Sequence, residues 1–216
     1  MAELGRGALR LYLIADTGLV PPARLPDAVR AALRGGVTVV QLRAKAETTR
    51  EQVELARLLA AICREHGAPF VVNDRVDVAL AAGAGVHVGH IGREDMQPAD
   101  ARTLMGAGAL VGVSVGSPAE ARAAERAGAS YVSAGAMFAT ATKADAGPAA
   151  GTALLREVRA ATALPVVAIG GITADRAREI LAAGADGVCV ARGILGEADP
   201  ERAARAYASI VLLEAS

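Results

Sequence analysis

Lys45 and Lys143 are the only lysines among 23 basic residues, and Asn73 is the only asparagine. A chain that otherwise relies on Arg has kept Lys in two places. The two side chains differ physically, since ammonium is a compact point charge and guanidinium a planar fork. Lys45 ends the segment QLRAK, two residues after Arg43. Asn73 precedes Asp74, and a second acid, Asp95, follows in a later loop. Brought to one place, Arg43, Lys45 and Lys143 would repel one another unless a polyanion bridged them. Asp74 and Asp95 would repel that anion unless a hard divalent cation lay between. Mg²⁺ favours one or two carboxylates together with phosphate oxygens. Three cations, two acids and an anion therefore make a consistent Mg²⁺–diphosphate site. The alternative is local ion pairing, Lys45 with Glu47 or Asp74 with Arg75, which asks for no ligand.

A second group reads as an anion site without metal. Gly170-Gly171 and Ala191-Arg192-Gly193 each follow an apolar run. Lacking a Cβ, Gly lets backbone N–H groups approach a phosphate. Thr140 and Thr142 offer hydroxyls at alternate positions, so both can face one ligand. Alternatively the glycines only make turns. Two anion sites, one with metal and one without, suit a transferase that joins two phosphorylated substrates. His66 lies near a helix end and reads as solvated. His87 sits inside an apolar run as a hydrogen-bonded core histidine, and His90 could reach the pocket. The three show no metal-ligand spacing, and no Ser/His/Asp order suggests a protein nucleophile.

What must position these residues is a repeated unit. Segments 31–43, 79–89, 124–135 and 180–193 each show an Ala-rich helix end, a Gly and a short apolar run. That pattern is a helix stopped at its C-cap, then a buried strand. Filling the gaps predicts strands at 11–15, 37–42, 70–73, 85–88, 110–114, 131–134, 166–169 and 187–190. Helices are predicted at 25–33, 50–65, 75–82, 98–104, 118–126, 151–161, 174–183 and 200–212. Thr48-Thr49, Ser117-Pro118 and Thr173 supply N-caps and an N1 proline. Eight such pairs in 216 residues predict an α/β chain folded as a closed (β/α)₈ TIM barrel, residues 1–216 forming a single domain. An open doubly wound sheet would usually carry a Gly-rich phosphate turn after its first strand, where Asp16-Thr17-Gly18-Leu19 stands. A barrel gathers its chemistry at the C-terminal strand ends. Both lysines and the sole asparagine fall there.

Composition narrows the partners. Lys+Arg and Asp+Glu are both 23, so no net field favours nucleic acid or an anionic membrane. Aromatic residues are 2% with no Trp, which argues against base-stacking platforms. A 53% hydrophobic content argues against disorder. Cys63 and Cys189 stand far apart and read as small buried residues in a reducing compartment. The first ten residues hold no signal-peptide core, and the longest uncharged runs are broken by Gly. The expectation is a cytoplasmic protein acting on small molecules, without nucleic acid or membrane; a homo-oligomer is left open.

The motifs QLRAK (41–45), VNDRVDVAL (72–80), GVHVG (85–89) with ED (94–95), GVSV (112–115), FATATK (138–143), AIGGI (168–172) and GADGVCV (184–190) resemble those of the thiamine phosphate synthase family, in order and at similar spacing. The resemblance implies a TIM barrel that condenses an aminopyrimidine diphosphate with a thiazole phosphate, using one Mg²⁺ per subunit. It implies that Gln41, Leu42, Arg43, Ala44, Lys45, Asn73, Ser114 and Lys143 bind the pyrimidine diphosphate. Arg43, Lys45 and Lys143 are then the catalytic cations. Asp74 and Asp95 become the Mg²⁺ ligands, and Thr140, Ala141, Thr142, Gly171, Ala191 and Arg192 the thiazole phosphate contacts. Diphosphate departs first, leaving a resonance-stabilised pyrimidine cation that the thiazole nitrogen attacks. The sequence departs from the family at three places. The loop at 89–95 is longer than the family's Gly-Gln-x-Asp and lacks its Gln, with Glu94 as the other acid. Gly135-Ala136 replaces Gly-Pro, and Arg192 replaces a small Ser. A related thiazole tautomerase subgroup has an eroded diphosphate site and a histidine where Gly116 stands here. A non-catalytic sensor of phosphorylated ligands is the other alternative.

Overall fold

The computed structural model describes residues 6–91, 96–139 and 149–212. Its strands are β1 (Leu11–Asp16), β2 (Val39–Arg43), β3 (Phe70–Asn73), β4 (Gly85–Val88), β5 (Val111–Val115), β6 (Tyr131–Ala134), β7 (Val166–Ile169) and β8 (Gly187–Val190). Each pairs in parallel with the next, and β8 pairs back onto β1, closing the predicted barrel. The helices are α1 (Leu25–Arg34), α2 (Thr49–Glu65), α3 (Val76–Ala82), α4 (Pro98–Met105), α5 (Pro118–Arg126), α6 (Gly151–Ala161), α7 (Ala174–Ala182), α8 (Arg192–Leu195) and α9 (Pro200–Val211). No described helix is long and apolar enough to cross a membrane.

Strand parity explains why these runs look almost continuously apolar yet carry a site. Successive side chains point to opposite faces. Leu11, Leu13, Ala15, Val40, Leu42, Val72, Val86, Val111, Val113, Val132, Ala168 and Val188 pack outward with the helices in one large core. Burying each such Val or Leu side chain contributes roughly 1.5–3 kcal/mol. The alternate positions fill the barrel: Tyr12, Ile14, Val39, Val71, Tyr131, Val167 and Cys189 form a second cluster. Leu9, in a short 3₁₀ turn at Arg6–Leu9, belongs to it.

The helix boundaries follow local chemistry. Thr48 opens α2 with a capping box: its hydroxyl accepts from Glu51 N, and the Glu51 carboxylate accepts from Thr48 N. Ser117 caps α5 more simply, its hydroxyl accepting from Glu120 N. Thr173 makes no such bond, contrary to expectation, because its hydroxyl serves the Asp175 carboxylate and holds that acid below its usual range. The repeated helix ends turn through left-handed Gly36, Gly83, Gly128 and Gly184. Helix α8 was not predicted; four residues are too few to show a 3.6-residue period.

Candidate active site

The C-terminal strand ends carry a polar rim. Arg43, the last residue of β2, is opposite Asp16, the last residue of β1. Arg43 Nη1 donates to Asp16 Oδ2 at 2.9 Å, and Gly18 N donates to Asp16 Oδ1 at 2.8 Å. The Asp16 side chain is only 5% exposed, so Arg43 is held by a carboxylate that would be costly to leave unpaired. Beyond it, Thr17 Oγ1 donates to Glu47 Oε2 at 3.0 Å, and buried Gln52 donates to Glu47 O at 2.8 Å. These bonds tie the loop that carries Lys45 to β1 and α2.

Asp74 sits at the end of β3 with φ of 59°, the only described non-glycine residue in the left-handed region. Such a conformation costs of the order of 1–2 kcal/mol, least for Asp and Asn. It is held by Asp74 N donating to His87 O at 2.8 Å and Val76 N donating to Asp74 O at 3.1 Å. The turned backbone brings Asp74 Oδ2 to 2.5 Å from Lys45 Nζ and 2.6 Å from Asn73 Nδ2. The Lys45 side chain is 54% exposed, and a pair so exposed is worth only about 0–1 kcal/mol. Stability therefore gives little return for the backbone strain. Neither local pairing considered from sequence forms. Glu47 is taken by Thr17, and Arg75 pairs with Asp77 while reaching Thr49 and Gln52 on α2. The Arg75 guanidinium holds the Asp77 carboxyl below its usual range.

Across the barrel mouth, Gly170 and Gly171 follow β7, both left-handed, with φ of 102° and 64°. A Cβ on Gly171 would lie 2.5 Å from Ala139 O, and one on Gly170 2.7 Å from Ala136 Cβ. Both glycines are thus required by a close approach of the segment after β6, which is bonded through Met137 N to Ile169 O and Phe138 N to Gly170 O, each at 2.9 Å. Arg176 lies 4.4 Å over the Phe138 ring. After β8, Ala191 opens helix α8, and its carbonyl takes the first bonds, from Ile194 N and Leu195 N. The N–H groups of a helix's first turn are those a helix leaves without an intrahelical partner. Tyr207 of α9 donates to Ile172 O at 3.1 Å, bracing this corner.

Residues 11–194 match the family model described as thiamine monophosphate synthase. The chain belongs to the thiamine monophosphate synthase family. It is 46% identical over 202 residues to the thiamine-phosphate synthase of Moorella thermoacetica, covering 93% of this chain and 95% of that one. It is 48% identical over 205 residues to that of Xanthobacter autotrophicus, covering 94% and 96%. Among solved structures, thiamine phosphate pyrophosphorylase from Pyrococcus furiosus superposes with a TM-score of 0.87 at 41% identity, covering 96% of this chain and 98% of that one.

Within this family frame the structure brings Arg43, Lys45, Asn73 and Asp74 together on adjacent strand ends. Gln41 and Ser114 face the barrel interior below them. Leu42 is 1% exposed and packs among the helices. Ala44 is partly buried against the same core. Gly171, Ala191 and exposed Arg192 lie on the β7–β8 side. Asp95, its alternative Glu94, Thr140, Ala141, Thr142 and Lys143 lie outside the described residues. His66 is exposed, with Nδ1 2.9 Å from Ile62 O, and His87 is buried and hydrogen-bonded, as expected. His90 does not stand free at the pocket: its Nδ1 is 2.9 Å from Glu120 Oε2, which also accepts from Gly116 N. Sequence reasoning missed Asp16, Tyr12 and Tyr131. Asp16 was visible as a lone acid closing an apolar strand. The tyrosines were visible as two of only three in the chain; the fold turns both inward.

Proposed function

We propose that this chain joins an aminopyrimidine bearing a diphosphooxymethyl group to a thiazole bearing a phosphooxyethyl chain, or its carboxylated form, giving thiamine phosphate and diphosphate. The observation that carries the reading is the Lys45–Asp74–Asn73 cluster beside Arg43, on the same barrel mouth as the Gly170-Gly171 turn. Asp74 is strained into place for an exposed ion pair that contributes little to stability, which makes sense if its carboxylate and the Lys45 ammonium serve a ligand. A carboxylate next to a cationic side chain suits Mg²⁺, a hard ion that takes few protein ligands and fills its shell with phosphate oxygens. No described group of three or more acidic, Cys or His side chains could form an all-protein cage; a Mg²⁺–diphosphate pair asks for none. Asp74 and Asp95 would hold the ion, which would supply charge neutralisation on the diphosphate.

The chain's own residues then divide the work. Arg43, fixed by Asp16, and Lys45 face the diphosphate, with Lys143 joining them; cations placed in advance stabilise the charge that develops as the carbon–oxygen bond breaks. Both bonding electrons leave with diphosphate, and the aminopyrimidine ring delocalises the positive charge left on the methylene carbon. Gln41, Ser114 and Asn73 orient the ring and its chain, with the backbone at Leu42 and Ala44. Thr140, Ala141, Thr142, Gly171, Ala191 and Arg192 hold the thiazole phosphate so that the ring nitrogen, which forms the new bond, faces the same carbon. A reducing cytoplasm suits the reading, since Cys63 and Cys189 are free and buried.

The test is turnover of purified protein with both substrates. Asp74→Ala should lose most of its turnover at millimolar Mg²⁺ while keeping its circular dichroism spectrum, and EDTA should silence the parent protein. Full activity in EDTA would contradict the metal role.

A further inference from the structure

Five side chains make one unbroken hydrogen-bonded chain across the barrel interior. Gln41 Nε2 donates to Tyr12 Oη at 2.7 Å, and the Tyr12 and Tyr131 hydroxyls are 2.6 Å apart. The Tyr131 hydroxyl is 2.9 Å from His87 Nδ1, and His87 Nε2 is 3.1 Å from Ser114 Oγ. The members come from β2, β1, β6, β4 and β5, and the three central ones are 1%, 0% and 6% exposed. The barrel is built around this chain. A Cβ on Gly112 would lie 2.5 Å from His87 Nδ1 and closer still to the Tyr131 hydroxyl, so the Gly opening the GVSV strand is required there.

Each link needs one proton, and that fixes a direction. Gln41 already donates to Tyr12, and a buried hydroxyl proton needs an acceptor, so the Tyr12 proton goes on to Tyr131. The Tyr131 proton then goes on to His87 Nδ1. A ring nitrogen that accepts carries no hydrogen, so the imidazole proton sits on Nε2 and is donated to Ser114 Oγ. Ser114 keeps its own hydroxyl proton for whatever binds above it. Gln41, its nitrogen committed inward, keeps its carbonyl oxygen for the same ligand. Burial pushes both tyrosine hydroxyls far above their ordinary pKa, so neither ionises and breaks the sequence.

We infer that Tyr12, Tyr131 and His87 are positioning residues whose one-way hydrogen-bond chain presents Ser114 as a donor and Gln41 as an acceptor to the aminopyrimidine ring. A ring nitrogen accepts and an exocyclic amine donates, so the pair matches an aminopyrimidine edge. The opposite direction would present the Gln41 amide hydrogens and the Ser114 lone pairs, so the direction sets which residue meets the ring nitrogen and which the amine. The ligand assignment rests on the proposed reaction; the chain's direction does not.

Nitrogen-15 NMR of histidine-labelled ligand-free protein at neutral pH tests the direction. The expected signature for His87 is the Nε2–H tautomer with a hydrogen-bonded Nδ1, and in Tyr131→Phe the Nδ1 resonance shifts. An Nδ1–H tautomer in the parent protein would overturn the inference. Steady-state kinetics test the consequence. Tyr131→Phe should raise KM for the pyrimidine diphosphate by about tenfold, the worth of one misdirected hydrogen bond, and leave KM for the thiazole phosphate unchanged. His87→Gln, which keeps a nitrogen donor where Nε2 stood, should retain a lower pyrimidine KM than His87→Leu. Equal pyrimidine KM in the parent, Tyr131→Phe and His87→Leu proteins would overturn it, as would a loss confined to kcat and melting temperature. If the parent protein shows no turnover, the reaction assigned above fails, and the tautomer alone decides the chain.

Discussion

Asp16 and Asp74 are both rim carboxylates paired with a cation, yet they do different work. Asp16 is buried between Gly18 N and the Arg43 guanidinium. Removing it leaves Arg43 without its carboxylate, at a cost of the order of 3 kcal/mol. Asp16→Ala is therefore expected to lower both the melting temperature and turnover, while Asp16→Asn, which still accepts from Gly18 N, keeps more of each; equal turnover in the parent and Asp16→Ala proteins would show that Arg43 needs no anchor. Asp74→Ala should behave oppositely, sparing stability to within about 1 kcal/mol and removing turnover. At this scale the clustering of Lys45, Asn73 and Asp74 was legible because scarcity and adjacency marked them. Asp16 and the two interior tyrosines were marked by residue type alone, and their roles were not legible because their partners lie on strands distant in sequence. The His90 partner, Glu120, was not legible because it belongs to a helix whose orientation only the fold reveals.

Strand and helix boundaries were largely legible in the sequence. The β3, β4, β6, β7 and β8 boundaries agree with the alternation and Gly punctuation, and the others shift by one or two residues. The shift in β2, to Val39–Arg43, moves Arg43 into the strand, where pairing with β1 sets it against Asp16. Parity could not be read inside runs such as VVQLR, since both faces of a barrel strand are buried. The capping box at Thr48 and Glu51 should respond as such boxes do. Thr48→Ala is expected to lower unfolding free energy by about 1 kcal/mol, measured by urea titration, and no change would mean that α2 is held by packing alone. Gly112→Ala should cost more, about 3 kcal/mol, because the added carbon meets Tyr131 and His87 rather than space.

For the whole molecule, barrel closure is what turns scattered residues into one site. Eight parallel pairings bring the ends of β1, β2 and β3 beside one another, set β7 opposite β3 and close β8 onto β1. The same closure hides both thiols. Burial pushes Cys63 up to about 12 and Cys189 higher. Neither should react with a thiol reagent at pH 8 until the chain is unfolded. A thiol whose folded pKa is raised favours the fold fully below its ordinary pKa of about 8.5. That share of stability is lost as pH rises from there towards the folded value. Fast labelling of the native protein would contradict the burial. Asp95 and Lys143, two of the five charged residues expected at the site, lie outside the described residues.

The most direct measurement mixes the purified protein with the pyrimidine diphosphate, the thiazole phosphate and Mg²⁺ and follows phosphorus-31 NMR. Equal amounts of thiamine phosphate and free diphosphate should appear together, and neither should form when one substrate is withheld. Binding of both ligands without any diphosphate released would contradict the transferase reading.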